Sequence, residues 1–363
     1  MNEFFVDPSG LRALSGLLAR ASGDARDTLD YTRRHCELSW DRRGLLMLVA
    51  DPHGKAYGRV TTALDRLRDL SDAAAGQVDR ARGAYAATDH AAAATLDATY
   101  PGATDPHDLR GTLHQSRPDL LPARAPFADA TDVVLQAPSP GSRADLFTLN
   151  PLTDLLSPAA WIRQVAVWLF GIDPFEPWLI AYSGDWRAYE HCMAAWPHIG
   201  AAATALGGNL VTGAADVSTA WRGNAAEAEQ EFQLLLGGAA TALGPACAEY
   251  ARLYPKAVDA CQQLYEATGS LIGQLIDTLI IVNVAGAVGT ATIETGIGAV
   301  TGYAAAAYYT WQAYKLYQEI SRLYGAAEIT IRLLAAQIEA VQAGAEVTRL
   351  PSVEPYHHPA VPR

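Results

Sequence analysis

The sequence predicts an all-α protein made of long antiparallel helical hairpins. Three observations carry that prediction: an Ala-rich, aromatic-poor composition, apolar seams that step by threes and fours, and tight breaks between paired seams. Half of the 363 residues are hydrophobic, but only 9% are aromatic. Ala and Leu supply much of the apolar content and β-branched runs are few, which favours helix. A chain of this length can hold two or three domains around a sizeable core.

The clearest pair of seams flanks Ala220-Trp221-Arg222-Gly223-Asn224-Ala225-Ala226. Before it, small or apolar residues recur at Ile199, Ala203, Leu206, Leu210, Gly213 and Val217. After it they recur at Ala225, Ala228, Phe232, Leu235, Ala239, Ala242, Ala246 and, one turn skipped, Leu253. Gly223 suits a reversal that needs φ > 0. Asn224 is the expected cap of the next helix, and Trp221 the ring that covers the tip.

A Trp-x-Gly tripeptide at the tip of a helical hairpin resembles the WXG100 family, the small helical substrates and partners of type VII secretion. An ordinary αα-turn remains the alternative. Gly184-Asp185-Trp186, which opens the region, resembles the amino-terminal modules of actinobacterial type VII toxins.

The amino-terminal part carries a second hairpin. Asp7-Pro8-Ser9 is a helix start, with Asp as cap and Pro in the first turn. One seam follows through Leu11, Leu14, Leu18, Ala21, Ala25 and Thr28. Another runs through Val60, Leu64, Leu67, Ser71, Ala74, Val78, Ala81 and Tyr85. Between them, Asp51-Pro52-His53-Gly54 is the expected turn. This hairpin is similar to the EspC-like branch of type VII substrates, although Trp40 and Gly44 stand four apart rather than two. Arg33, Arg34, Arg42 and Arg43, near the turn, read as a solvated face.

In that family, Tyr-x-x-x-Asp/Glu after the second helix is the export signal. The resemblance therefore assigns Tyr85 and Asp89 to secretion and partner recognition, together with Trp221 and Gly223. Residues four apart share a helix face, so ring and carboxylate are expected to be presented together. Tyr324 and Glu328 match the same pattern. The plainer reading makes Tyr85 a seam residue and Asp89 a solvated helix end. Family dimers set the Trp-x-Gly tip of one hairpin beside the Tyr motif of another. Here both lie in one chain, so an intramolecular pseudo-dimer with Trp221 close to Tyr85 is expected. The competing arrangements are that each hairpin takes an external partner or that residues 257–343 occupy the second hairpin's seam first.

The expected domains are a hairpin over 1–100, a Pro-rich linker over 101–156, a second helical domain over 157–349 and a disordered tail over 350–363. Eight prolines between Pro101 and Pro151 break every helical period. Ser157-Pro158 starts a short helix with Trp161, Val165, Trp168, Leu169 and Phe170, expected to dock on the second hairpin. Residues 275–306 are strongly apolar. Asp277 and Asn283 favour a buried core segment, with membrane insertion as the alternative. Gly296-Ile297-Gly298 is a joint before a last helix over 303–343.

Chemistry-bearing motifs are missing from the sequence. It has no phosphate loop, nucleophile elbow or zinc-protease motif, and Cys36, Cys192, Cys247 and Cys261 are too far apart for metal spacing. They read as buried thiols. A net charge of −12 argues against nucleic acid and anionic membrane as general partners. No basic region leads an apolar run at the start, so no Sec leader is expected. The expectation is a non-enzymatic, leaderless type VII (ESX-like) substrate or secretion partner, cytoplasmic before export and then secreted or in the envelope. Its implied partners are a secretion ATPase or chaperone, or another WXG100-like protein. No cofactor and no metal are expected. The alternatives are a membrane-active effector using 275–306 and a cytosolic helical scaffold.

Overall fold

In the computed structural model, residues 4–39, 44–115, 125–139, 158–291, 297–344, 350, 353–354 and 356–359 are described. After the strand β1 (Phe5–Val6), the Asp7 carboxylate accepts bonds from the Ser9 and Gly10 amides at 3.0 and 3.1 Å. With Pro8 in the first turn, this caps α1 (Pro8–Cys36). Its partner α2 (Met47–Ala87) has 41 residues and is about 60 Å long. Both seams of this first hairpin lie inward, with Leu11, Leu14, Leu18, Val60, Leu64 and Leu67 fully buried.

The turn of this hairpin is not at Asp51-Pro52-His53-Gly54. Those four residues lie inside α2, and Pro52 falls in its second turn. Burial explains the extension, because Val49, Pro52, His53 and Ala56 continue the inward stripe of Val60 and Leu64. His53 is then held on both ring nitrogens, by the Tyr254 hydroxyl at 2.6 Å and the Cys36 carbonyl at 2.9 Å. The reversal falls between Cys36 and Met47, and Trp40, Arg42 and Arg43 lie outside the described residues.

Two short helices follow, α3 (His90–Asp97) and α4 (Pro106–Gln115), then α5 (Ala160–Phe170) and α6 (Phe175–Ala181). The second hairpin comprises α7 (Trp186–Ala220), the strand β2 (Trp221–Arg222) and α8 (Asn224–Thr241), continued by α9 (Leu243–Leu253). A third and longer hairpin is formed by α10 (Pro255–Ala291) and α11 (Ile297–Gly344). Ile297 and Gly298 belong to α11 instead of a joint, and Gly296 lies outside the described residues.

The two expected domains share one core. Helix α1 packs on α2 and also on α7, and α11 packs on α2, so buried side chains run without a gap from Leu11 to Tyr356. Much of the expected linker is attached to that core. Asn209 accepts from the Ala130 and Thr131 amides at 2.8 and 3.0 Å, and buried Asp216 accepts from Phe127 N at 2.7 Å. Arg20 bonds both the Asp129 carboxylate and the Phe127 carbonyl. The prolines do break the helical period, but these polar anchors on α7 and α1 fix residues 125–139 against the bundle.

The α7–α8 contact is unusually close. Gly207 faces Gly237 on α8 and, further along α7, Gly200 faces Gly244 on α9, so the backbones meet where side chains would otherwise stand. The inward face of α8 is broader than the expected seam, of which Ala225, Phe232 and Ala239 are buried. Leu235 is 59% exposed, whereas Glu229, Gln233 and Leu236 are fully buried. The core therefore accepts three polar residues, Glu229, Gln230 and Gln233, that an apolar pattern assigns to solvent. Gln230 satisfies the Ala214 carbonyl, and Gln233 donates to Glu229 at 3.0 Å.

The apolar stretch of α10 is core at its start only. Leu275, Leu279 and Val282 are buried, while Ile281, Val284 and Val288 are substantially exposed. Leu279→Ala is expected to lower stability by about 2–5 kcal/mol through the cavity it leaves. A thermal melt of the variant beside the parent checks this.

Candidate recognition site at the hairpin junction

The resemblance singled out Trp221, Gly223, Tyr85 and Asp89, and the structure brings three of them to one junction. Trp221 leaves α7 in extended conformation, and the two-residue strand it begins pairs antiparallel with β1. Val6 lies opposite Trp221 and Phe5 opposite Arg222, whose guanidinium sits 5.1 Å above the Phe5 ring. The indole is buried, and its ring centre lies 6.1 Å from that of Tyr85 in an edge-on arrangement. Phe4 packs on Tyr85 at 5.9 Å.

Gly223 has φ 137°, a region that favours glycine. A side chain here would also strike Asp97, whose Oδ2 would lie 2.3 Å from an added Cβ. This carboxylate explains why the turn holds. Asp97, at the end of α3, accepts from the Asn224 amide at 2.8 Å and the Ala225 amide at 3.1 Å. It thus caps α8 from another part of the chain, meeting its exposed amides and positive end with negative charge. Asn224 is not the expected cap. It is the first helical residue, and its side chain donates to the Tyr100 carbonyl at 2.9 Å.

Asp89 is not paired with Tyr85 on one helix face. Helix α2 ends at Ala87, and Asp89 is the exposed cap of α3, accepting from the Ala91 and Ala92 amides. A helix–cap–helix corner therefore replaces the continuous i,i+4 geometry. Tyr85 points into the junction and Asp89 stays in solvent at its edge. The other match is also divided: Tyr324 stacks on Trp178 with ring centres 5.7 Å apart, and Glu328 pairs with Arg332 at the surface.

The expected disordered tail supplies the rest of the junction. Leu350, Tyr356 and His358 are buried, whereas residues 360–363 lie outside the described residues. His358 stacks against Trp221 at 5.3 Å and meets the Tyr85 ring edge-on at 5.5 Å. Its Nε2 is 3.2 Å from the Tyr85 hydroxyl. Tyr356 packs on Phe232 at 5.6 Å, and the Arg66 guanidinium holds the Val353 carbonyl at 2.9 Å. Among its described residues, the segment that reads as disordered carries three anchors, one aliphatic and two aromatic. Sequence periodicity cannot find them, because their partners are more than a hundred residues away.

Burial sets the electrostatics here. It lowers the His358 pKa to about 4, with His357 adding a smaller push, so this imidazole is neutral at physiological pH. Burial, the Asp97 charge and Tyr100 raise Tyr85 well above the usual phenol range. What results is a closed aromatic junction with one exposed carboxylate, Asp89, at its rim. Among the described residues, no three His, Cys, Asp or Glu side chains converge as metal ligands.

Comparisons with protein-family models, curated proteins and solved structures find no match.

Proposed function

We propose that the chain is a non-enzymatic substrate or partner protein of a type VII (ESX-like) secretion system, recognised at the hairpin junction. The observation that carries this reading is the 6.1 Å contact between Tyr85 of the first hairpin and Trp221 of the second. It agrees with a WXG100-like pseudo-dimer folded from one chain, in which the tip of one hairpin lies beside the Tyr motif of the other. Asp89 is the exposed charge offered to a secretion ATPase or chaperone, or to another WXG100-like protein. Trp221, Gly223 and Tyr85 act as its scaffold.

Asp89→Asn separates recognition from folding, because Asn caps a helix about as well as Asp. Export into the medium of a host with an intact type VII ATPase is the readout. The variant is expected to fold normally and to lose most of its export. Export at the parental rate would remove Asp89 from the proposal, and export unaffected by loss of the ATPase would remove the secretion route itself.

A further inference from the structure

The outer half of the α10–α11 hairpin has a surface unlike the rest of the molecule. Between Asp277 and Lys315 the sequence contains a single charged residue, Glu294. Along these arms, Val284 is 54% exposed and Val300 71% exposed, with Val288, Tyr303, Tyr308 and Trp311 each near half. Each arm buries one face on the other arm. Among the described residues, the faces turned away carry mainly Ile, Val, Ala, Tyr and Trp, with Asn283 and Thr290, where a solvated hairpin would carry Lys and Glu. The most apolar helical window between Asn224 and Val288 is only 28% buried, so the chain's own core does not account for its composition.

We infer that this half-hairpin is a finger that enters the hydrocarbon of a lipid bilayer. A protein groove would cover one stripe of one helix, but here, among the described residues, both arms turn outward faces that carry no charge and are mostly apolar, with Asn283 and Thr290 as the polar exceptions. A bilayer is the surroundings that meets all of them at once. Both arms are helical, so their backbone groups are satisfied without water. From Asp277 to Ala291 the first arm rises about 21 Å, and from Ile297 to Lys315 the second rises about 27 Å. The hydrocarbon core is about 30 Å thick, so arms of this length nearly cross it, and Glu294, which lies between them in sequence, is carried toward the far headgroups.

The base of the finger fits the water–lipid boundary. Trp311 and Tyr314 lie there, and the Lys315 ammonium sits 3.7 Å over the Trp311 ring. Helix α5 packs on α10 and is tied to α11 by stacking of Phe170 on Tyr317 at 4.6 Å. It presents Trp168 at 80% exposure and Trp161 at 45%, against the expectation that its apolar face would be covered. Trp and Tyr favour the headgroup level, and a Lys at a helix end can extend its ammonium outward. A finger whose one charged residue is the acidic Glu294, on a protein of net charge −12, gains nothing from anionic lipid. Neutral phosphatidylcholine vesicles are therefore the target.

The test uses the full chain. The four native cysteines are buried, so Val300→Cys gives one accessible thiol for an environment-sensitive dye. Phosphatidylcholine vesicles should raise and blue-shift its emission, while dye on the distant, exposed Ser218→Cys should not respond. A double variant, Val284→Asp with Val300→Asp, should lose at least about tenfold in vesicle affinity, since carboxylates are costly in hydrocarbon. Its melting temperature should stay near the parental value, because both positions are more than half exposed. Failure of the parent to bind vesicles, or equal binding by the double variant, overturns the inference. So does a parent that self-associates through the finger and ignores lipid. None of these readouts depends on secretion, so the two proposals fail separately.

Discussion

Gly207→Val is expected to unfold much of the second hairpin. A Cβ at this position would stand 2.3 Å from Thr241 Oγ1 and 2.5 Å from the Gly237 carbonyl oxygen. The carbonyl is backbone and cannot rotate away. Across the contact, a Cβ on Gly237 would meet the Gly207 carbonyl at 2.7 Å, so α7 and α8 would have to part. Overpacking in a well-filled core costs about 1–3 kcal/mol, and a backbone obstacle places this change at or above the upper end. Gly208→Ala is the control. Nothing lies within 4 Å of a Cβ there, and replacing a mid-helix Gly should stabilise by roughly 0.5–1 kcal/mol. Urea midpoints of the two variants should therefore move in opposite directions.

Glu229→Gln should raise stability at neutral pH and flatten its dependence on pH. Burial lifts the Glu229 pKa from an ordinary 4.5 to about 8, partly opposed by the bond from Gln233. The fold thus favours the protonated acid, whereas the unfolded chain ionises from about pH 4.5 upward. The stabilising contribution is complete below that value and drains away as the pH rises through about 8. At about 1.4 kcal/mol per pH unit, the loss by pH 7 is on the order of 3 kcal/mol. Gln carries no proton to lose, so the gap between variant and parent should widen from pH 4.5 to 8. His53 and His358 act in the other direction. Both pKa values are lowered to about 4 by burial, so their contribution is present above about 6.5 and is lost as the pH falls through 4. Thermal melts across pH 4–9 should show the alkaline limb flatten in the variant and the acid limb remain.

The parts of the fold legible in the sequence are those that local periodicity specifies. The seams of α1 and α2 are uninterrupted threes and fours, and their residues through Ala81 are buried as that spacing requires. Where polar side chains enter the core, the pattern misleads. Glu229, Gln230 and Gln233 widen the buried face of α8 beyond its apolar seam, and Asn209 and Asp216 give no sign that they anchor residues 125–139. Pro52 looked like a turn because proline usually ends a helix, but here the buried stripe around it continues. At the junction, Trp221 and Tyr85 could be paired from the expected antiparallel packing of two hairpins. Asp97 and His358 could not. Each acts across a long stretch of chain, and neither side chain carries a local signal of its partner.

The tail that covers the junction also introduces a delay. His358 follows Trp221 by roughly 140 residues, while α1, which packs on both α2 and α7, and the β1–β2 pair precede it in the chain. At about 5–20 residues per second, the ribosome takes on the order of ten seconds to make that stretch. During that interval each nascent molecule can present the indole and phenol rings uncovered. Before the tail arrives, a factor waiting at the ribosome would meet a different surface from the one a mature molecule offers.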